Sequence, residues 1–467
     1  MTKSLFKRFW IPAAYALLIL LARVPGASAG VQPYEEFSGE TNIPTPDSVL
    51  DALERWDLPQ VKAVLDSPSS ADLDPVLAVY LEARIAFLEG NYERARTVLA
   101  DMLRQDPEID VIKKMAGFVD RTLEIAQEFK TAESDHFILF YRGRDEILVD
   151  GALETLEAQY AKLSHALGID FPEKIRTEIA PTGEAFIRLS DIPRDAVETT
   201  GTIGLCKYNK LIITSPKALP RGYEWRDTLA HELVHYFVYR RTKNHTPVWL
   251  HEGLAKYFEN AWRSDSLGEM SPSQDTLLLN ALKEDKIIPL KRMHPSFVYL
   301  DSAEEGAQAF AQVNTIIEYI HKKLGDGRFV VLQKVLDAIT EGLEYEPAFE
   351  KALGYDFDTF YKGWIDYLKK RPMRRIARTH IEEVRFVESE EEAEKEEIDE
   401  IDSERGRELL RVGDLLRNRG RFLGAAETYA KAAEVVGLSP IIMHKQANAL
   451  IKSAQNDLAQ AQIQSDP

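Results

Sequence analysis

The residues with the clearest chemical potential lie in segment 227–238, which reads D-T-L-A-H-E-L-V-H-Y-F-V. The pattern predicts a helix, on which His231 and His235 stand one turn apart on the same face. Two imidazoles placed in this way can bind one metal ion at about 2.0–2.1 Å. Glu232 follows the first histidine, so its carboxylate borders the same cleft without being a ligand. We therefore predict a metal site at which Glu232 takes a proton from a metal-bound water.

A catalytic zinc site needs a third protein ligand and one open position. Segment 246–255 reads T-P-V-W-L-H-E-G-L-A and predicts a second helix, with Thr246 as its cap and a proline in its first turn. The polar residues before it favour a turn that folds this helix back onto the first. The pattern predicts Glu252 as the third zinc ligand and explains Gly253 as a small residue where the two helices approach. His251 is rotated by about 100° from Glu252, which favours a place behind the ligands or on the surface.

Other candidate groups carry weaker signals. Asp227 and Glu259 are candidates for orienting the ligating histidines, with solvated helix charges as the alternative. Cys206 is the single cysteine, and it fits a buried small residue better than a nucleophile. The remaining histidines are scattered and are predicted to have surface or core roles: His136, His165, His245, His294, His321, His380 and His444.

The N-terminal residues 1–29 have the pattern of a secretory signal peptide. Three basic residues precede an apolar stretch at 9–22, and A-S-A at 27–29 offers a cleavage site. An uncleaved membrane anchor is the alternative, but the stretch is short and contains Pro12. No later stretch predicts a transmembrane segment. The signal peptide predicts export. A single cysteine, Cys206, cannot form an internal disulfide, and an exported protein without disulfides fits a bacterial periplasmic or secreted protein better than a small disulfide-stabilised domain.

The composition limits the possible partners. The 467 residues carry a formal net charge of −18. Nucleic acids and anionic membrane surfaces bind proteins through clustered Lys and Arg. Because this chain carries a large negative charge, neither is expected as a partner. The expected partners are a peptide or protein substrate and a protein bound by helical repeats.

The chain beyond the signal divides by pattern into four regions. Residues 30–130 and 404–467 predict tetratricopeptide-like helices, in which glycines occupy turns and small residues lie where helices touch. Residues 131–375 predict an α+β domain. Residues 376–403 are rich in glutamate and predict an acidic linker or exposed helix. The repeat-like positions are Ala83, Gly90, Ala95 and Pro107 in the first helical region and Gly413, Gly420, Ala425 and Tyr429 in the second.

Within the α+β domain, branched and aromatic residues predict strands at 136–141, 175–181 and 211–214. A free sheet edge at 201–204 or 211–214 is a candidate for binding an extended peptide by strand addition. In most of the other residues of this domain, apolar side chains recur at helical spacing. The predicted helices are 146–167, 224–241, 247–263, 305–323, 327–340 and 357–370.

Residues 249–255 (W-L-H-E-G-L-A) resemble the W-L-x-E-G-x-A signature of aminopeptidase N-like enzymes, and with H-E-x-x-H they resemble the gluzincin peptidases. Residues 131–372 are similar to the compact peptidase MA-like domain of exported bacterial proteins, which shares the H-F opening strand at His136, the T-L-A-H-E-L-x-H helix and a late Trp364. The resemblance implies a thermolysin-like zincin domain, zinc bound by two histidines and a glutamate, and a glutamate base.

The resemblance carries over residue by residue: His231, His235 and Glu252 match the zinc ligands, and Glu232 matches the general base. One position departs from the aminopeptidase N-like pattern, which has an oxyanion-stabilising tyrosine where this chain has Phe310. The candidates to replace that hydroxyl are Gln312, His294 and Tyr299.

Three functions fit these observations. The leading interpretation is an exported zinc metallopeptidase, an endopeptidase because no exopeptidase motif is present, whose helical repeats recruit a substrate or partner. The alternative is a catalytically silent peptidase fold that serves as an interaction module in the cell envelope. Hydrolysis of a non-peptide amide would use the same site. The intact Glu232 favours an enzyme, whereas Phe310 favours the silent scaffold.

Overall fold

The computed structural model places the two histidines and the glutamate on helices of a mixed α+β unit. The signal peptide, most of the acidic run, His294, Tyr299 and His380 lie outside the described residues. The chain divides into two compact units, residues 1–218 with 222–386 and residues 219–221 with 387–467. The structure describes residues 46–67, 73–194, 197, 202–219, 222–293, 297, 300–375, 398, 401, 403–437 and 439–465.

The first unit begins with five helices. Asp74 caps the third helix and Asn91 caps the fourth, each by accepting backbone N–H bonds. Gly90 joins these two helices at a φ of +76°, which glycine adopts without strain. The predicted helix pair is therefore present. The five helices are α1 (Pro46–Glu54), α2 (Leu58–Leu65), α3 (Pro75–Leu88), α4 (Tyr92–Gln105) and α5 (Asp110–Ala126).

A five-stranded sheet follows, in the order β1-β2-β3-β5-β4. Strands β2, β3 and β5 are parallel, while β1 and β4 are antiparallel edge strands. The three predicted strands are confirmed, and β1 and β4 were not predicted. The strands are β1 (Lys130–Glu133), β2 (Phe137–Tyr141), β3 (Ile175–Ala180), β4 (Gly204–Lys207) and β5 (Lys210–Thr214).

The proposal that residues 211–214 form a free sheet edge is wrong. Strand β5 pairs with β3 on one side and β4 on the other, and all five of its residues are buried. An interior strand has no free backbone groups to offer a peptide. The second candidate, near residue 204, lies at the start of β4, which is an edge strand.

Helices cover both faces of the sheet and fill the rest of the first unit. The helix predicted at 247–263 ends earlier, at Phe258, and the helix predicted at 305–323 ends in a π-helical turn, Ile320–Leu324. The helices are α6 (Val149–Leu167), α7 (Gly183–Ser190), α8 (Trp225–Thr242), α9 (Val248–Phe258), α10 (Pro272–Lys283), α11 (Ala303–Tyr319), α12 (Val330–Thr340), α13 (Tyr345–Leu353) and α14 (Phe357–Lys370).

The N-terminal helices pack directly on α8. Trp56, at a left-handed φ of 56°, stacks on Tyr239 with ring centroids 3.8 Å apart. The Tyr239 hydroxyl donates to the carbonyl of Glu54, at the end of α1. These contacts hold the second half of α8 against the segment between α1 and α2.

Replacing Tyr239 by phenylalanine is expected to lower the free energy of unfolding of the first unit by about 0.5–1.5 kcal/mol, because one partly buried hydrogen bond is lost while the ring stacking remains. Urea denaturation of the native and variant proteins measures the change. An unchanged midpoint would show that the Glu54 contact does not stabilise the unit.

The second unit contains three helices, α15 (Glu404–Asn418), α16 (Phe422–Val436) and α17 (Pro440–Ser465). A Cβ atom at Gly413 would lie 2.3 Å from the Tyr429 ring, so only glycine allows this approach. Asp414 accepts bonds from Tyr429 and from the buried Lys445. Within the part of the chain that the structure describes, no helix is both long and apolar enough to cross a bilayer.

Candidate metal centre

A helical hairpin, α8 followed by α9, positions the candidate ligands. Lys243 and Asn244 adopt left-handed φ values of 52° and 60°, and they end α8 and reverse the chain. The Gly253 prediction needs correction, because a Cβ atom there would lie 3.0 Å from the carbonyl oxygen of Val313 on α11. Gly253 therefore allows α9 to approach α11 rather than α8.

The hairpin brings His231, His235 and Glu252 together. The two Nε2 atoms lie 3.1 Å apart, and Glu252 Oε2 lies 3.6 Å from His231 Nε2 and 3.7 Å from His235 Nε2. Ligands held about 2.05 Å from one tetrahedral ion would be about 3.3 Å apart. The three atoms therefore surround a point from which each could bind the same small ion.

The carboxylates at this point are buried and weakly bonded. No oxygen of Glu232 or Glu252 makes a hydrogen bond of good geometry, although, against the effect of burial, the backbone N–H of Cys206 lowers the pKa of Glu232 and His231 lowers that of Glu252. Burial raises the pKa of Glu232 to about 8, the charge of His231 opposes that rise, and Glu252 adds to it. Burial also raises the pKa of Glu252. Such groups are unfavourable in a dry site unless a cation offsets their charge, so the residues present fit a zinc ion.

Glu259 supports His231 from behind. Its Oε2 lies 3.4 Å from His231 Nδ1, and Lys256 Nζ lies 2.6 Å from both of its carboxylate oxygens. The sequence indicated Asp227 as a second orienting candidate, but that carboxylate accepts bonds from Trp262 and Arg263 instead. Of the two acidic candidates, only Glu259 contacts one of the two candidate histidine ligands.

His251 lies behind His235 and is 1% exposed, so of its two predicted places it takes the one behind the candidate ligands and not the surface. The two Nδ1 atoms are 2.7 Å apart, and the rings stack with centroids 5.0 Å apart. Burial lowers the pKa of His251 to about 3, which keeps the ring neutral. A metal bound to His235 Nε2 would leave the proton on Nδ1, so His235 Nδ1–H would donate to His251 Nδ1 and hold that tautomer.

Replacing His251 by leucine is expected to weaken zinc binding by about 10–100-fold, because His235 loses the acceptor that orients its ring. Competition with a chromophoric chelator measures the zinc dissociation constant. The matched control is His165→Leu, which removes an exposed histidine from α6. Equal zinc affinity in the two variants would contradict the role of His251.

The structure argues against one candidate for the missing oxyanion donor. Gln312 is 0% exposed and bonds Ile288 at both ends of its amide, accepting from the backbone N–H at 3.1 Å and donating to the carbonyl at 2.7 Å. Phe310 is buried against Phe297, with ring centroids 4.9 Å apart. Gln312 therefore holds the backbone at Ile288 inside the protein, away from any substrate in solution.

Tyr223 is a nearby polar group that the sequence analysis missed. Desolvation raises the pKa of its hydroxyl, and the carboxylates of Glu232 and Asp145 raise it further. The hydroxyl donates to the carbonyl of Thr214, the last residue of β5. No local motif surrounds Tyr223, so only the folded chain reveals that it shares the electrostatic environment of Glu232.

Edge strand β4 borders Glu232. A Cβ atom at Gly204 would lie 2.8 Å from Glu232 Oε1, so a side chain there would displace the carboxylate. The backbone bond from Thr214 N–H to Ile203 O directs Ile203 toward β5. By antiparallel alternation, the N–H and C=O groups of Gly204 and Cys206 point to the free edge. The Cys206 side chain is buried, as predicted.

Comparison with known proteins agrees with this geometry. Residues 194–370 match the model of the Peptidase MA superfamily, and the match includes α8, α9 and edge strand β4. No curated protein matches the chain. Members of this superfamily are typically zinc-dependent metallopeptidases. Over residues 194–370, the chain is similar to the Peptidase MA superfamily.

Proposed function

We propose that the protein is an exported zinc metallopeptidase of the gluzincin type that cleaves within peptide chains. His231, His235 and Glu252 would hold the ion, and Glu232 would act as the general base. The main support is the convergence of three ligand atoms beside the fully buried carboxylate of Glu232. A purely structural zinc site would not need Glu232, whose burial has an energetic cost.

Zinc bound at this point would lower the pKa of water and polarise the scissile carbonyl. Glu232 would accept the proton of the attacking water and deliver it to the leaving amine. Burial raises the pKa of Glu232 to about 8, which suits a group that takes up and releases a proton near neutral pH. Glu259 and His251 would keep the two imidazoles in their metal-binding orientations.

The proposed substrate is a peptide in an extended conformation. The outward backbone groups of Gly204 and the carbonyl of Cys206 would pair with a substrate strand added beside β4, while the Cys206 N–H is directed at Glu232. Gly204 lies against Glu232, so the added strand would run past the carboxylate. The helical repeats are proposed to recruit the substrate or a partner protein.

The alternative is a catalytically silent interaction module of the cell envelope. Phe310 favours it, because this buried ring offers no hydroxyl to an oxyanion. Hydrolysis of a non-peptide amide would share the metal site, and it differs from the leading proposal only in the substrate cleaved.

Metal analysis of the purified protein tests the proposal first. We expect about one zinc per chain, loss of zinc in His235→Ala, and retention in the control His165→Ala. Cleavage of a proteome-derived peptide library should stop on chelation and resume when zinc is added. Absence of zinc from the native protein would exclude the proposal, whereas bound zinc without cleavage would favour the silent module.

A further inference from the structure

The turn that joins β4 to β5 contains a residue that is unusual for its backbone conformation. Tyr208 and Asn209 form this two-residue turn, with left-handed φ values of 55° and 58°. Turns of this kind favour asparagine and glycine, and a bulky side chain is an outlier there. A strained residue persists where its surroundings hold it in place. We therefore expect the Tyr208 side chain to make contacts that offset the cost of its backbone.

The Tyr208 ring packs on the N-terminal helices. Its centroid lies 5.4 Å from that of Phe87 on α3, edge to face, and 5.2 Å from that of Phe118 on α5. The two phenylalanines are 2% and 4% exposed and lie 4.8 Å from each other. The guanidinium of Arg84 on α3 lies 5.6 Å from the centre of the tyrosine ring. The tip of the β4–β5 hairpin therefore occupies the face that Phe87 and Phe118 form.

Neighbouring residues fix the same turn from two further sides. The hydroxyl of Tyr236, the residue after His235 on α8, donates to Asn209 Oδ1 at 3.1 Å. At the start of β5, Lys210 donates to the Tyr92 hydroxyl of α4 at 2.9 Å. The hairpin tip is thus tied both to the N-terminal helices and to the helix that carries the candidate histidine ligands.

Strand β4 extends from this tip to Glu232. It has four residues and pairs with one neighbour only, β5. Cys206, two residues before Tyr208, directs its N–H at Glu232, and a Cβ atom at Gly204 would lie 2.8 Å from Glu232 Oε1. A strand of this length spans about 13 Å. Its position beside the carboxylate therefore depends on how firmly its tip is held.

We propose that Tyr208 is a positioning residue: by anchoring the hairpin tip in the N-terminal helices, it holds the outer edge of β4 ready for an extended substrate beside Glu232. This role rests on the proposed function, in which a substrate strand is added to β4. An edge that is ordered before binding lowers the entropy that binding must overcome. Without the anchor the substrate itself would have to order the strand, so binding would weaken more than the chemical step would slow.

Replacing Tyr208 by glycine isolates the anchor, because glycine adopts the left-handed conformation without strain and keeps the turn. We expect KM for peptides to rise about 5–20-fold, while kcat and zinc affinity change less than about 3-fold. Hydrogen exchange of residues 204–207 should become faster, in the zinc-free protein as well. Tyr208→Phe keeps the ring contacts and should restore native KM and native exchange.

Trp56→Gly is the matched control. Trp56 is also an aromatic residue with a left-handed φ, 56°, but its ring stacks on Tyr239 of α8 rather than packing on the hairpin tip. Its loss removes a buried ring that holds the N-terminal helices, so the urea midpoint should fall. KM and the exchange of residues 204–207 should nevertheless stay native in this variant.

Two results would overturn the proposal. One is native KM and native exchange in Tyr208→Gly, and the other is an equal rise of KM and of exchange in Trp56→Gly, which would reflect general loosening of the helices. A native protein without zinc-dependent cleavage would contradict the proposed function instead. The exchange comparison needs no activity, so it would still decide whether Tyr208 anchors β4.

Discussion

Replacement of Glu232 by glutamine is expected to reduce peptide hydrolysis by about 10²–10⁴-fold, while zinc remains bound with nearly native affinity. Glutamine keeps the shape of the side chain but cannot accept the proton of the attacking water. The zinc ligands are His231, His235 and Glu252 in the proposed site, so the substitution leaves all three in place. Initial rates at saturating peptide, measured beside metal content, separate lost catalysis from lost zinc.

The matched control is Asp227→Asn, which neutralises another carboxylate on the same helix. Asp227 bonds Trp262 and Arg263 and contacts neither histidine, so the rate should change little. Equal activity of Glu232→Gln and the native enzyme would exclude Glu232 as the base. Loss of zinc from Glu232→Gln would show instead that this carboxylate helps to hold the ion.

The sequence predicts the hairpin of α8 and α9 well because the information is local. His231 and His235 are one helical turn apart, and a polar turn separates their helix from the one that carries Glu252. Such a hairpin follows from helix periodicity and end signals alone. The structure brings the three groups together as this reasoning requires, with 3.1–3.7 Å between their atoms.

The groups around the hairpin depend on distant parts of the chain and were harder to predict. Strand β4 is only four residues long, and β1 is polar and mostly exposed, so neither has a clear alternating pattern. Gly253 meets α11, some 60 residues later, rather than its neighbour α8. Whether Asp227 or Glu259 contacts a histidine depends on side-chain packing that spacing alone does not determine.

A buried ion cluster that joins α4 to the sheet leads to the largest expected effect on stability. Glu178 on β3 accepts bonds from Arg176 at 2.6 Å, from Lys210 on β5 at 2.7 Å and from the Tyr92 hydroxyl of α4 at 2.9 Å. Glu178 is 0% exposed and Lys210 is 1% exposed. The single carboxylate therefore balances two cations inside the protein.

Replacing Glu178 by glutamine is expected to lower the free energy of unfolding of the first unit by about 3–5 kcal/mol, because the buried Lys210 and the partly buried Arg176 lose their counter-charge. Urea denaturation followed by circular dichroism measures the loss. The control is Glu133→Gln, whose partner Lys174 is exposed; breaking that surface pair should cost at most about 1 kcal/mol. A similar small loss in Glu178→Gln would show that the cluster does not stabilise the unit.

The pH dependence of stability gives this prediction a second test. Burial opposes ionisation of Glu178, but Lys210 and Arg176 outweigh it and lower its pKa from 4.5 to about 2. A carboxylate with a depressed pKa stabilises the fold fully above about pH 4.5, and that contribution falls as the pH drops toward 2. The native protein should therefore lose more stability between pH 5 and pH 2 than Glu178→Gln does, since the variant has no carboxylate to protonate. Because Tyr92 belongs to the N-terminal helices, acid should loosen their attachment to the sheet, and protease cleavage between α5 and β1 should increase over the same pH range.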